Sequence, residues 1–381
     1  MRDNDLLVIG GGLIGCSVAW EAAKRGLRVT VLERGEVGSG ATYAAGGMLA
    51  PLSEADGESP FLQLARRSAE LYPGFVADLR AAVGIDVEYR TEGTLYLSLS
   101  DSDDLELESR YRWQHESGLK VERLTSTELL RLEPALTPET RWALLFPDDR
   151  QVNNRRLITA VHEAALASGV VFRTNTAVER LLIDGSDGQS TDGLSIRGVR
   201  LDSGSLEANR VVIAAGCWSC RITDAPATGV KPIRGQMIAV RNTSPPVRHV
   251  VYSHRGYLIP RLDGRLIAGS TTEEVGFDCR NTAGGIASVL THAAEMMPAF
   301  MNQPIVETWA GLRPRATDHL PILGADPLIR GLIHATGHYR NGILLAPVTA
   351  RIVGDLLTGV ETGIDLIPFS PSRNLPRHHP V

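Results

Sequence analysis

The stretch that most constrains the fold is DLLVIGGGLIGCSVAWEAAKRGLRVTVLERG, residues 5–35. It opens on a short apolar run, which is typical of a buried parallel strand. Gly10, Gly12 and Gly15 then give the spacing G-x-G-x-x-G, which permits a tight turn, close approach of the backbone to a pyrophosphate and close packing of helix on strand. Glu33 ends a second apolar run, where an acid accepts hydrogen bonds from a ribose 2′-hydroxyl. The succession of strand, glycine loop, helix, second strand and terminal acid predicts a dinucleotide-binding α/β domain.

The next segment bears on which dinucleotide is bound. Glu33 would repel a 2′-phosphate, which disfavours NADP, but the loop alone does not separate NAD from FAD. RGEVGSGATYAAGGMLAP, residues 34–51, is rich in small residues, so its backbone can run close to a flat ligand and its N–H groups can bind anions. This pattern resembles the FAD-dependent amine and amino-acid oxidases of the D-amino-acid oxidase superfamily, and among them the glycine oxidases associated with thiamine biosynthesis.

Two later segments extend the resemblance along the chain. RVVIAAGCWS, residues 210–219, is similar to the strand that returns to FAD in these flavoproteins, and GHYRNGILLAPVTARIVGDLL, residues 337–357, is similar to their last flavin-binding turn and its helix. No cysteine follows Cys279, so we expect non-covalent FAD. The resemblance implies that FAD contacts Gly10, Gly12, Leu13, Ile14, Gly15, Glu33, Arg34, Ala41, Thr42, Gly46, Gly47, Met48, Val178, Gly216, His338, Arg340, Asn341, Gly342, Ile343 and Leu344.

Three side chains are candidates for binding a small amino-acid substrate. By resemblance, the arginine of GLRP, Arg313, binds the substrate carboxylate, and the planar guanidinium suits that group because it donates two charge-assisted hydrogen bonds. The alternative is a buried arginine paired with Asp318. The resemblance also implies that Tyr257 contacts the carboxylate and that Arg340 lies near substrate and flavin. The alternatives are an aromatic residue on a half-buried strand and a purely structural arginine.

The sequence offers no convincing general base. It has no Ser-His-Asp arrangement and no spacing typical of a metal site, so we expect neither a catalytic protein base nor a metal. This fits an oxidation in which a neutral amine loses hydride from its α-carbon to flavin while the protein positions the substrate and excludes water. The resemblance implies an imine that hydrolyses to an oxo acid and ammonia, with oxygen reduced to hydrogen peroxide. In thiamine biosynthesis a thiazole synthase would take the imine.

Composition limits the partners and the compartment. The formal net charge of -5 argues against a nucleic-acid partner, and no apolar run reaches the roughly 18 residues that a membrane helix needs. The pair Cys217 and Cys220 has no second pair at zinc spacing, and four cysteines in 381 residues do not make a disulfide framework. We expect no signal peptide and a cytoplasmic protein; the resemblance implies a homo-oligomer, specifically a homotetramer.

Three other functions are considered beside the oxidase. A D-amino-acid dehydrogenase that passes electrons to a quinone has similar sequences, but no amphipathic basic helix for a membrane surface is evident. An FAD module of an RNA-modifying protein conflicts with the acidic charge. A non-catalytic FAD-bearing subunit would not need Arg313, Tyr257 and Arg340.

The expected fold class is α/β. We expect an FAD-binding Rossmann-like domain interleaved with an antiparallel-sheet α+β substrate domain. The sequence suggests an FAD-binding domain of 1–85, 147–230 and 310–368, a substrate domain of 86–146 and 231–309, and a tail of 369–381.

Overall fold

The structure is a computed structural model that describes residues 4–185, 193–222, 224–225 and 228–374. The predicted tail of 369–381 lies outside the described residues from 375 onward. The α-helices are α1 (Leu13–Lys24), α2 (Ala41–Ala44), α3 (Pro60–Val83), α4 (Asp101–Glu116), α5 (Ser126–Leu132), α6 (Asn154–Ala167), α7 (Ala283–Met296) and α8 (Ala346–Thr358). Among the described residues, no helix is both long enough and apolar enough to cross a membrane.

The strands belong to several sheets. In chain order they are β1 (Leu6–Ile9), β2 (Val29–Leu32), β3 (Met48–Leu49), β4 (Thr94–Ser98), β5 (Glu122–Thr125), β6 (Trp142–Phe146), β7 (Arg150–Gln151), β8 (Val171–Arg173), β9 (Val178–Asp184), β10 (Leu194–Leu201), β11 (Gly204–Glu207), β12 (Val211–Ile213), β13 (Lys231–Arg241), β14 (Val250–Ser253), β15 (Gly256–Pro260), β16 (Arg265–Gly269), β17 (Ile305–Arg315), β18 (Ile322–Ala325), β19 (Ile329–Arg330) and β20 (Leu332–Thr336).

The first sheet has the order β18-β20-β12-β1-β2-β8 and is parallel except for β18. Because side chains alternate along a strand, the residues of β1 pack in two different cores. Leu6 and Val8 pack in the core that contains residues of α1, α3, α6 and α8. Leu7 and Ile9 pack in the core that contains the sheet of β9, β10, β11 and β19. The sheet is therefore covered on both sides, as its continuous apolar strands predict.

The glycine loop after β1 needs glycine for steric reasons. Gly10 has φ +110°, and a Cβ there would lie 2.5 Å from the carbonyl oxygen of Ala214. A Cβ at Gly15 would overlap the carbonyl oxygen of Gly10. These two glycines let α1 start directly against β1 and β12.

The second large sheet has eight strands in the order β17-β13-β16-β15-β14-β4-β6-β5, antiparallel except for the pair of β14 and β4. One face, which includes Leu258, packs in a core with residues of α5 and α7. The other face carries Tyr257 and turns toward the nucleotide-binding part of the chain. The stretch GLRPR continues β17 and is extended, because Arg313 pairs with Ile233 of β13.

The boundaries of the interleaved domains stay a prediction. Strand β17 runs across the boundary at residue 310, so that limit falls inside one strand.

Candidate active site

A cavity of about 570 Å³ lies between the two large sheets. Ile9, Leu32 and Ala214, at the carboxyl ends of β1, β2 and β12, line one part of it, and Met237 and Tyr257 from the eight-stranded sheet line another. Ligands of α/β proteins bind at this edge of a parallel sheet, and pockets of about 300–1,000 Å³ are usual for small molecules and cofactors. The cavity therefore marks the candidate active site.

Of the residues predicted to contact FAD, all but Gly15 and Leu344 line this cavity. Gly15 faces inward instead, because its α-carbon packs against the Gly10 carbonyl group. Leu344 is 1% exposed, and its carbonyl oxygen accepts a hydrogen bond from the Ser68 hydroxyl at 2.6 Å. These two residues support the loops around the cavity and are not among its lining residues; their contact with FAD stays a prediction.

Glu33 lines the cavity and also organises the glycine loop. Its carboxylate accepts the Gly11 N–H at 2.7 Å and the Gly35 N–H at 2.9 Å. Beside it, the guanidinium of Arg34 stacks on the Trp218 ring, 3.6 Å from its centre. A ribose contact of Glu33 stays a prediction, while its contacts to the backbone hold the loop in shape.

His338 is buried at the cavity wall. Its Nε2 atom lies 3.0 Å from the Thr349 Oγ atom, and burial lowers the pKa of the imidazole to about 3. The ring is therefore neutral, and its low pKa makes it a weak base for a substrate proton.

Arg313 is the first of the predicted substrate-binding side chains. Its guanidinium donates to the Ser270 hydroxyl at 2.5 Å and to the Thr271 carbonyl oxygen at 3.2 Å. Within the described ranges it forms no ion pair with a carboxylate. Asp318, the alternative partner, pairs instead with Arg373 at 2.7 Å. A half-buried arginine with no carboxylate partner among the described residues therefore lines the cavity.

Two glycines in strands make room for these side chains. Gly235 lies on neighbouring β13, two residues beyond Ile233, the partner of Arg313, and a Cβ there would overlap the Arg313 guanidinium. A Cβ at Gly269 would lie 2.9 Å from the Tyr257 ring. Neither glycine was expected to matter for the site, although a glycine inside a strand often marks a close approach of this kind. Among the described residues, the hydrogen-bond contact of the Tyr257 hydroxyl is a long one of 3.9 Å to the Met237 sulfur atom.

Arg340 meets an acid that the sequence did not reveal. Its Nη2 atom lies 3.3 Å from Oε1 of Glu54, which also accepts a hydrogen bond from the Tyr252 hydroxyl at 2.5 Å. Glu54 holds the pKa of Arg340 above its ordinary range, and burial does the same for the pKa of Tyr252. Glu54 lies in the loop between β3 and α3 and lines the cavity, but no local motif singles it out.

The pair Cys217 and Cys220 is not arranged as a reactive dithiol. Both thiols are free, and Cys220 donates to the carbonyl oxygen of Cys217 at 3.3 Å. Burial raises the pKa of Cys217 to about 12, which leaves it as an inert thiol.

The family follows from a match over most of the chain: residues 5–356 fit the model of the family DAO, FAD dependent oxidoreductase. The chain belongs to this family. Glycine oxidase of Geobacillus kaustophilus is 37% identical over 375 residues, 97% of each chain. The crystal structure of glycine oxidase from Geobacillus kaustophilus has a TM-score of 0.92 at 35% identity, covering 99% of this chain and 100% of that one. The family resemblance, the α/β FAD-binding fold and the FAD cofactor predicted from sequence are thereby confirmed.

One group of relatives is longer. The bifunctional protein ThiO/ThiG of Trichormus variabilis is 34% identical, and the match covers 97% of this chain but 55% of that protein. The chain thus spans about half the length of this relative.

The lining residues fit the cofactor of this FAD dependent oxidoreductase. One end of the cavity carries the glycine loop with Glu33, which suits the adenosine half. The other end carries Arg313, Tyr257 and the turn at Gly342 and Ile343. The N–H groups of Gly342 and Ile343 donate to no described residue, which leaves them free for a ligand acceptor.

Proposed function

We propose that this FAD dependent oxidoreductase oxidises the amine of glycine, and also of sarcosine and small D-amino acids, with oxygen as the electron acceptor. The products are hydrogen peroxide and an imine, which hydrolyses to the oxo acid and ammonia, or methylamine when the substrate is sarcosine. The observation that carries the proposal is Arg313, which has no carboxylate partner in the part of the chain that the structure describes and lines the cavity with Tyr257. Such a side chain suits the carboxylate of an amino acid. The names of the Geobacillus relatives point to the same substrate.

The chain's own residues position the substrate. Arg313 binds the carboxylate, and the Tyr257 hydroxyl, whose contact with the Met237 sulfur atom is 3.9 Å long, donates a second hydrogen bond to it. Bound FAD supplies the acceptor for the hydride that leaves the α-carbon. Met48 and Met237 give the cavity an apolar lining that helps to exclude water.

No proton-abstracting side chain is needed in this scheme. Burial makes His338 a weak base, and its ring is hydrogen-bonded to Thr349, so in this scheme the substrate binds with its amine already deprotonated. The rate at low substrate concentration then rises with pH toward the pKa of the amine.

Arg313→Ala tests the proposal directly. We expect the variant to keep FAD and to lose kcat/KM for glycine by roughly 100- to 1,000-fold, because the substrate carboxylate loses its charged partner. Arg315→Ala is the matched control, since Arg315 lies two residues further along the chain and pairs with the exposed Glu274. Peroxide formation is measured for both. Normal turnover of glycine by Arg313→Ala would show that Arg313 does not bind the substrate carboxylate.

The wider biological setting is also a proposal. The bifunctional ThiO/ThiG relatives support transfer of the imine to a thiazole synthase, and a pull-down with that enzyme tests it. The four free cysteines support a reducing compartment such as the cytoplasm. A homotetramer rests on family resemblance, and light scattering of the purified protein tests it.

A further inference from the structure

Two buried hydroxyl groups of helix α3 hold the turn that precedes α8, beside the cavity. Tyr72 donates to the carbonyl oxygen of Ile343 at 2.6 Å, and Ser68 donates to that of Leu344 at 2.6 Å. Both side chains are 0% exposed. They lie more than 270 residues before the turn that they hold, so no local motif could reveal the contact.

Ser68 has a second role at the same turn. Its oxygen accepts the N–H of Val348 in the first turn of α8 at 3.4 Å. Leu345, the N-cap residue of α8, offers no side-chain cap of its own. Ser68 therefore supplies from α3 the cap that a serine or threonine at the N-cap would give.

These bonds fix the direction of the peptide groups in the turn. A trans peptide points its C=O and N–H in opposite directions, so anchoring the Ile343 carbonyl to α3 turns the Leu344 N–H away from α3. The N–H groups of Gly342, Ile343 and Leu344 donate to no residue in the described part of the chain. Buried N–H groups without a partner are costly, and Gly342 and Ile343 line the cavity.

We propose that Tyr72 and Ser68 are positioning residues that set the reduction potential of the bound flavin. Arg313 and Tyr257 line the same cavity as this turn, so the turn and the proposed substrate site face one ligand space. Reduction adds negative charge to the pyrimidine half of the ring, and N–H groups held in place stabilise that charge. The Tyr72 hydroxyl fixes the Leu344 N–H through the Ile343 carbonyl, and the Ser68 hydroxyl fixes the next carbonyl of the turn, so α3 limits how far the turn and its N–H groups can move. The inference rests on the family cofactor and not on which amino acid is the substrate.

The test compares Tyr72→Phe and Ser68→Ala with the parent holoenzyme. The midpoint potential of the flavin is measured by spectral titration against a reference dye, so no substrate is needed. We expect both variants to lose preference for reduced over oxidised flavin by up to about tenfold, a shift to more negative potential of about 30 mV for a two-electron couple. The double variant should shift further.

Tyr89→Phe is the matched control. Tyr89 stacks on Tyr72 with ring centres 6.3 Å apart, and its hydroxyl group has Arg150, not the turn, as its hydrogen-bond partner. Its potential should equal that of the parent. Should Tyr72→Phe and Ser68→Ala both keep the parent potential while retaining FAD, the inference is overturned, whatever the substrate is. A shift of the same size in Tyr89→Phe would also overturn it, because general loosening of α3 would then explain the effect.

Discussion

Arg313 depends on a glycine across the sheet. Gly235 leaves the space that the guanidinium fills, so a methyl group at this position must push Arg313 away from its place. We expect Gly235→Ala to keep FAD and lose roughly a hundredfold in kcat/KM for glycine, since a displacement of about 1 Å can cost that much. Gly284→Ala is the control, because a Cβ at Gly284 meets no atom within 4 Å. Equal kinetics in both variants would show that Arg313 tolerates the displacement.

Glu33 holds the glycine loop through two backbone N–H groups. In Glu33→Gln the neutral amide retains one acceptor oxygen and places an NH₂ group against one of those N–H donors. We expect the dissociation constant of FAD to rise roughly tenfold, as for loss of a charge-assisted hydrogen bond. Quenching of FAD fluorescence by apoprotein measures it, with the neighbouring Glu36→Gln as the control. A dissociation constant equal to that of the parent would contradict this role.

At the scale of elements, the loop that carries Glu54 is held by a buried acid. Asp149 accepts the N–H groups of Leu52 and Ser53 at 3.2 and 3.3 Å. Burial raises the pKa of Asp149 from 3.8 to about 7. Between these values the folded protein binds more protons than the unfolded chain, so the contribution of Asp149 to stability falls as pH rises through this window.

Asp149→Asn tests this sign. Asparagine stays neutral, so the Tm of the variant relative to the parent should increase when pH is raised from about 4 to about 8. Asp148→Asn is the control, because Asp148 is more exposed and pairs with Lys120 at 3.2 Å. Parallel curves of Tm against pH for parent and Asp149→Asn would mean that Asp149 does not titrate in this window.

The features that could be predicted from the sequence are those whose cause lies within a few neighbouring residues. The glycine loop, the small-residue segment and GLRP each carry their constraint within a few neighbouring residues, and the strands around them lie where the apolar runs predicted. Glu54 and Tyr72 act through contacts to residues far along the chain, which no spacing reports. The hydrogen bond from the Ser68 hydroxyl to the Leu344 carbonyl oxygen is equally distant in sequence, so no spacing reports it either.

At the scale of the whole molecule, Arg261 joins the eight-stranded sheet to the cofactor side. It is 5% exposed and donates to the carbonyl oxygens of Gly46 and Val152 at 2.6 and 3.1 Å, and to the Asn154 side chain at 3.1 Å. Burial lowers the pKa of Arg261 to about 10, so it stays charged at neutral pH.

Arg261→Met removes these hydrogen bonds. We expect a loss of about 3 kcal/mol in the free energy of unfolding, because the carbonyl groups are left without donors. FAD binding should weaken as well, since Gly46 lines the cavity. Denaturant unfolding measures the first effect, with the exposed Arg255→Met as the control. A stability equal to that of the parent would show that the two sheets do not depend on Arg261.

Oxidation of glycine by the bound flavin is tested most simply by a visible spectrum of the purified holoenzyme in one cuvette. Glycine is added without oxygen, and air is then admitted. We expect a yellow protein that bleaches with glycine and recolours in air while hydrogen peroxide forms. Bleaching without recolouring would point to a dehydrogenase with another acceptor, such as a quinone. A yellow protein that glycine, sarcosine and D-alanine all fail to bleach would contradict the central claim.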